Sequence, residues 1–279
     1  MFSQLSLPYK IERNRIQTIT RMDYSLMNRK ALVAICRDRG IRHSRHTKEE
    51  LIHWIQNPGT QPPLETEGTG KIFEMAICRA NDTPFVGKYK YSMEKAEKLR
   101  PRLAKLFESH KYIHTADKNG RYDFTSMDSQ GHLSAKSNKD KDNGVAVQGI
   151  GQRSPKDFCE AIGIPYTTLN DLKQYIQSNI AVILPVLVTY TFDCPILYYN
   201  EKADTIRHIT LTTPFEWEKY EYTWSRPWDR WTNSSTLYIE KQGLLELQFH
   251  SKNRTNMAIR WKFEKMLHFF NPHFSILDV

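Results

Sequence analysis

The stretch Arg121–Lys139 reads RYDFTSMDSQGHLSAKSNK. Its pattern predicts two short strands, over Arg121–Met127 and His132–Ser137, on either side of the polar turn DSQG. A run over Lys111–Thr115, followed by the turn DKNG, adds a strand before them. The first strand of the pair carries one carboxylate, Asp123, and the second one ammonium, Lys136, with Ser134 two residues earlier. If the registers allow, Asp123 and Lys136 share one sheet edge. A carboxylate there can hold Mg²⁺, which takes oxygen ligands and keeps several waters. A lysine beside it can orient or deprotonate an attacking water and offset charge on a phosphorane. Those are the parts that phosphodiester cleavage needs. The plainer alternative is a capped turn or a surface ion pair.

Around this hairpin the periodicities predict a helix over Gly70–Ala80 that buries Ile72, Phe73, Ala76 and Ile77 and leaves Glu74 at the edge of that face. A second helix spans Ser92–Glu108, capped by Ser92 and kinked or restarted at Pro101. Ser154-Pro155 opens a short helix, and Thr168–Gln177 is another, with Leu169, Leu172, Tyr175 and Ile176 on one side. The longest apolar run, Ile180–Val188 (IAVILPVLV), is half a membrane span and is read as a buried central strand with Pro185 at a bulge or end. Met257, Ile259, Trp261 and Phe263 alternate as in a strand, and a closing helix covers Glu264–Phe270. The fold class is therefore α/β, with one mixed β-sheet flanked by helices over residues 71–279.

A basic N-terminal module precedes that domain. Of the formal net charge of +9, residues 1–57 hold +6, from eleven Lys/Arg against five Asp/Glu. This balance favours a polyanionic partner and says nothing about fold. Residues 58–70, rich in Pro, Gly and Thr, read as a linker. Within the module, Ser25 caps a helix carrying Leu32, Ile35 and Cys36, which Gly40 ends. Thr47 and Glu50 form a capping box for a second helix with Leu51, Ile52, Trp54 and Ile55.

Several classes are excluded. Cys36, Cys78, Cys159 and Cys194 form no Cys-x-x-Cys pair, so neither a cysteine zinc site nor a disulfide framework is expected. His43/His46 and His110/His114 lack the partners that would complete a zinc site. With no Walker loop or dinucleotide fingerprint, no nucleotide cofactor is expected. No signal-peptide h-region and no membrane span are read, so a soluble intracellular protein is expected. Hydrophobic residues at 39% and aromatics at 12% support a packed core.

Two resemblances sharpen this reading. The N-terminal spacing, with RGI at Arg39–Ile41 and TKEELI at Thr47–Ile52, resembles the SAP motif, a helix-extended loop-helix DNA-binding module. That resemblance implies contact with duplex DNA through Lys30, Arg37, Arg42, Arg45 and Lys48; the alternative is a solvated basic hairpin. Asp123 followed by Ser134-Ala135-Lys136 resembles the PD-(D/E)xK core of type II restriction endonucleases, including those of large algal viruses, with the second acid replaced by serine. It implies a restriction-endonuclease-like core in which Asp123 and the Ala135 carbonyl hold Mg²⁺, with Mn²⁺ as a substitute, and Lys136 activates water. Glu74, on the first helix of such a core, is the candidate for the missing acid.

Gln148 and Gln152 flank a glycine-containing turn where amides can reach phosphate or base edges; the alternative is solvated polar filler. In Phe215–Tyr238 four of six tryptophans cluster around Arg226 and Arg230. Most of these tryptophans read as core or interface, and the arginines as DNA contacts. Lys252 and Arg254 lie in a second candidate recognition edge. The implied activity is Mg²⁺-dependent, sequence-specific cleavage of double-stranded DNA, with a homodimer expected because both strands are cut. The rivals are a non-catalytic DNA-binding protein with a decayed nuclease fold and a repair or recombination nuclease that reads DNA structure.

Overall fold

A computed structural model describes residues 23–44, 46–61, 68–87, 91–108, 110–116, 121–128, 131–139, 144–250 and 256–279. Arg45, Asp140, Asp142, Lys252 and Arg254 lie outside the described residues. The chain divides into two compact units, residues 1–61 and 62–279.

In the N-terminal unit a 3-10 turn, Tyr24–Leu26, precedes α1 (Arg29–Asp38) and α2 (Lys48–Gln56). The cap of α1 differs from the sequence expectation. Asn28 Oδ1 accepts the Ala31 amide at 2.9 Å, whereas Ser25 lies in the preceding turn, where Asp23 accepts its amide. Both residues can cap, and the helix starts at the second. Gly40 has φ +65° and ends α1 in a Schellman motif, with Ile41 N–H on Cys36 O and Gly40 N–H on Arg37 O. The Thr47/Glu50 capping box is present. Leu32, Cys36, Ile41, Leu51, Trp54 and Ile55 form the core between the helices. Gln61 hydrogen-bonds both main-chain groups of Arg42 at 2.8 Å, so this unit extends past residue 57.

In the larger unit α3 (Gly68–Ala80) and α4 (Met93–Ala104) pack on each other. α3 starts two residues before the expected Gly70, so Gly68 and Thr69, expected in the linker, are helical, and the Thr69 hydroxyl donates to Glu201. Pro101 sits inside α4. The strands are β1 (Tyr112–His114), β2 (Phe124–Ser126), β3 (His132–Asn138), β4 (Val145–Ala146), β5 (Ile196–Asn200), β6 (Thr205–Leu211), β7 (Tyr222–Trp224), β8 (Ser234–Ile239), β9 (Gln242–Phe249), β10 (Met257–Trp261) and β11 (Phe274–Asp278). The remaining helices are α5 (Pro155–Ile162), α6 (Leu169–Ser178), α7 (Ile180–Phe192) and α8 (Phe263–Phe269).

One mixed sheet was expected, and the described residues form two sheets. A six-stranded sheet runs β1-β2-β3-β5-β6-β11, mixed because β3 and β5 are parallel. A five-stranded antiparallel sheet runs β4-β10-β9-β8-β7. Strand alternation sorts the six-stranded sheet into two faces. Phe124, Leu133, Leu197 and Ile206 join the α3/α4 core, while Ile196, Tyr198 and Ile209 join a second core shared with α5–α8 and the five-stranded sheet.

The run expected as a central strand is the helix α7. Ile180, Ile183, Leu184, Leu187, Val188, Thr191 and Phe192 are buried at helical spacing, and the exposed side falls at Val182, Pro185 and Thr189. Two of those three exposed residues are apolar, so the 3.6-residue period was invisible in an all-apolar run. Pro185 is tolerated on the outer face, and its carbonyl accepts the Thr189 hydroxyl at 2.9 Å. Among the described residues no single helix is long and apolar enough to cross a membrane.

Replacing Asn28 with Ala should cost about 1 kcal/mol in α1, the usual value of a helix cap, and Ser25→Ala should cost α1 nothing. Amide hydrogen exchange in α1 would read this as roughly a fivefold acceleration in the first variant alone.

Candidate active site at the split between β2 and β3

β2 pairs with β3 only at Phe124↔Leu133 and Thr125↔His132, and the two strands then separate. β3 continues alongside β5 through Asn138. Ser134 N–H turns toward β5 and donates to Pro195 O at 3.0 Å. Ala135 therefore presents its main-chain groups to the gap on the β2 side, since successive strand residues alternate in direction. There its N–H meets Asp123 Oδ2 at 2.8 Å.

Two side chains reach the same oxygen. The Ser134 hydroxyl, fully buried, donates to Asp123 Oδ2 at 2.9 Å, and Lys136 Nζ stands 3.5 Å from it. Among the described residues no hydrogen bond falls on Oδ1, which leaves that oxygen for a ligand. The Ser134 hydroxyl thus acts as a donor that holds Asp123.

Asp123 and Lys136 line an open cleft of about 630 Å³ whose other wall is Ala146–Asp157. That wall is fixed by backbone. Val147 N–H donates to Ile259 O at 3.0 Å, and Ile259 N–H donates to Gly151 O at 2.8 Å. Gly149 has φ +72°. A Cβ on Gly151 would lie 2.3 Å from the Val147 carbonyl oxygen, so only glycine fits there. Gln148 is buried in this turn; its Nε2 donates to the Arg121 carbonyl, and its buried Oε1 has no partner among the described residues. Gln152 is exposed at the lip.

Arg121 also lines the cleft. Its Nη2 lies 2.8 Å from Asp193 Oδ2, and its guanidinium carbon is 4.5 Å from the Tyr190 ring centroid. Asp193 follows the end of α7 and also accepts the Tyr122 hydroxyl. That hydrogen bond raises the Tyr122 phenol above its usual range, so it stays a donor at neutral pH. Next to Asp193, burial and then the Asp193 charge push the Cys194 thiol up to about 12, which makes it inert as a nucleophile.

Glu74 is not brought to this cleft. Its carboxylate is buried against Lys71 and lies 2.9 Å from His114 Nε2. Val86 N–H donates to His114 Nδ1, which leaves the Nε2 proton for Glu74. His114 pairs with Phe124, whose side chain joins the α3/α4 core. Asp123, Ser134 and Lys136 use the opposite face, so the sheet stands between Glu74 and the gap.

The other candidates scatter. Lys30 and Arg37 are exposed on α1, Arg42 is buried with Nε 3.0 Å from His46, and Lys48 Nζ is 2.7 Å from Ser25 O. Arg226 and Arg230 are exposed at the connection between β7 and β8 and do not line the cleft. Trp217 and Trp231 are core, whereas Trp228 is partly exposed. Sequence reading missed Arg121 and Asp193. Two-residue spacing from Asp123 was the available signal for Arg121. Asp193 had none, because the element delivering it was misread.

The chain is 40% identical over 217 residues to the type II restriction enzyme CviAII of Paramecium bursaria Chlorella virus 1. The match covers 76% of this chain and 63% of that enzyme, so the chain spans less than two thirds of its relative's length. No protein-family model matches the chain, and no solved structure does.

Glu74→Ala should destabilise the larger unit by about 1–3 kcal/mol, because the buried His114 N–H loses its acceptor; Glu74→Gln, which keeps an acceptor, should cost clearly less. Gly151→Ala should cost about 1–3 kcal/mol through the forced shift of Val147. Denaturant unfolding of the full chain measures all three.

Proposed function

We propose that the protein is a Mg²⁺-dependent, sequence-specific endonuclease of the type II restriction kind, acting on double-stranded DNA. The carrying observation is the meeting of Asp123, Ser134, Ala135 and Lys136 at the gap between β2 and β3, and the relationship to a restriction enzyme supports it. The order Asp123, Ser134-Ala135-Lys136 also resembles a PD-(D/E)xK core with its second acid substituted, which supports the reading.

The donor set fits a hard cation. One free carboxylate oxygen and a carbonyl facing the same gap are oxygen ligands, and Mg²⁺ makes up its shell with waters and substrate phosphate. Asp123 and Ala135 would hold it, and the ion would supply charge neutralisation and an activated water.

The protein's own part is positioning. Ser134 and the Ala135 N–H lock the Asp123 carboxylate, so its geometry is set before substrate arrives. Lys136 brings positive charge to the place where a phosphorane would develop, and its ammonium can hold the attacking water or steady the leaving oxygen. Gln148 and Gln152 are proposed to touch the DNA from the opposite wall. Lys30, Arg37 and the other basic residues of the SAP-like unit, together with Arg226, Arg230, Lys252 and Arg254, would supply phosphate or base contacts elsewhere. A homodimer acting on a palindrome would let two such sites cut both strands.

The replacement of an acid by Ser134 favours one second reading, a DNA-binding protein without activity. Plasmid DNA incubated with Mg²⁺ separates them: discrete fragments, lost on chelation, are expected, and intact DNA would leave only the binder. Asp123→Asn and Lys136→Ala should abolish cutting with near-native DNA affinity, whereas Glu74→Gln should keep it within about tenfold. Removing residues 1–61 takes away eleven Lys/Arg, so affinity should fall and the salt dependence of binding should flatten. An unchanged slope would mean the unit does not touch phosphate.

A further inference from the structure

Arg121 is held more rigidly than a surface arginine needs to be. Its main-chain carbonyl is fixed by Gln148, its guanidinium is paired with Asp193, and its plane rests near the rings of Tyr190 and Tyr122, at 4.5 and 5.6 Å. It nevertheless stays open to solvent, with 39% of its side chain exposed, in the cleft that holds Asp123 and Lys136. A guanidinium carries five N–H donors in a planar fork. Among the described residues one ion pair engages it, to a carboxylate that a phenol also serves.

A purely structural ion pair would spend the guanidinium inward. This one lines the cleft and stays partly exposed while Asp193 and the aromatic rings hold the guanidinium. Planar recognition of phosphate is the use such an oriented fork suits, and a lysine cannot copy it.

We propose that Arg121 is a substrate-contacting residue, a clamp on a phosphate of the DNA strand being cut, and that Asp193 is its positioning residue. This rests on the nuclease reading above. Arg121 lies two residues before Asp123 on the same stretch of chain, so a phosphate held by it is placed relative to the carboxylate with little slack.

The test uses the full chain. Binding to a DNA duplex containing the cleavage site is measured in EDTA over a salt series, and cleavage is measured with Mg²⁺. Arg121→Ala should lower turnover at saturating DNA by about a hundredfold or more, and should reduce the slope of log affinity against log salt by about 0.9, the value for one phosphate contact. Arg121→Lys should keep the slope and lose most of the turnover. Asp193→Asn should keep both the slope and KM while kcat falls, which a role in folding alone would not produce.

Thermal melts accompany each variant. If Arg121→Ala does not fold, Arg121→Lys and Asp193→Asn decide, since each keeps a hydrogen bond between the two side chains. Native turnover and an unchanged salt slope in the folded variants overturn the clamp. If the native chain cuts DNA and the variants match it, the clamp alone falls. If the native chain does not cut DNA, whether or not it binds, the nuclease reading falls and the clamp with it.

Discussion

Three donors from one strand converge on a single oxygen of Asp123, and the candidate site depends on that convergence. The Ser134 hydroxyl and the Ala135 amide donate at 2.9 and 2.8 Å, and the Lys136 ammonium makes a longer contact of 3.5 Å. It is available only because β2 leaves β3 after two residue pairs. Had the strands stayed paired, the Ala135 amide would have been spent on a β2 carbonyl, and the carboxylate would have had no main-chain donor. A serine rather than an acid at position 134 fits the same logic. Two carboxylates side by side repel until a cation arrives, whereas here every contact to Oδ2 is attractive. The site can hold its shape before any ligand binds.

The six-stranded sheet sorts chemistry by face. Side chains at alternate positions of β3 either pack against α3 and α4 or point toward Asp123. Glu74, on α3, lies on the first of these two sides and is satisfied there by Lys71 and His114. A helix placed correctly from sequence still left open which side of the sheet its glutamate would face. Periodicity gives the buried stripe of a helix; it does not say which strand residues that stripe covers.

The pairing of β2 with β3, the capping box at Thr47 and Glu50, and the helix opened by Ser154-Pro155 were legible, because each rests on residues close in sequence, but the first strand is shorter than expected: β2 begins at Phe124 and leaves Asp123 just before it. What stayed hidden was of two kinds. One was periodicity without polar contrast: α7 puts Val182 and Pro185 on its outer side, so its run looked like a strand. The other was distance. Asp193 meets Arg121 only because α7 ends beside the start of β5, and no local pattern links residues so far apart. The second sheet was hidden similarly, since β4 joins β10 across more than a hundred residues of chain.

The charge distribution divides attraction from chemistry. Two thirds of the net positive charge lies in the first 57 residues, while the larger unit, which carries the cleft, is close to neutral for its size. Long-range attraction to a polyanion would then come mainly from the small unit, and the cleft would act on what that unit delivers. A charge count still overstates the grip. Arg42 is buried against His46, and Lys48 reaches back to the Ser25 carbonyl, so both have partners inside the unit. Counterion release counts side chains that reach phosphate. The salt dependence contributed by this unit should therefore be set by exposed residues such as Lys30 and Arg37, and should fall below what eleven basic residues would give.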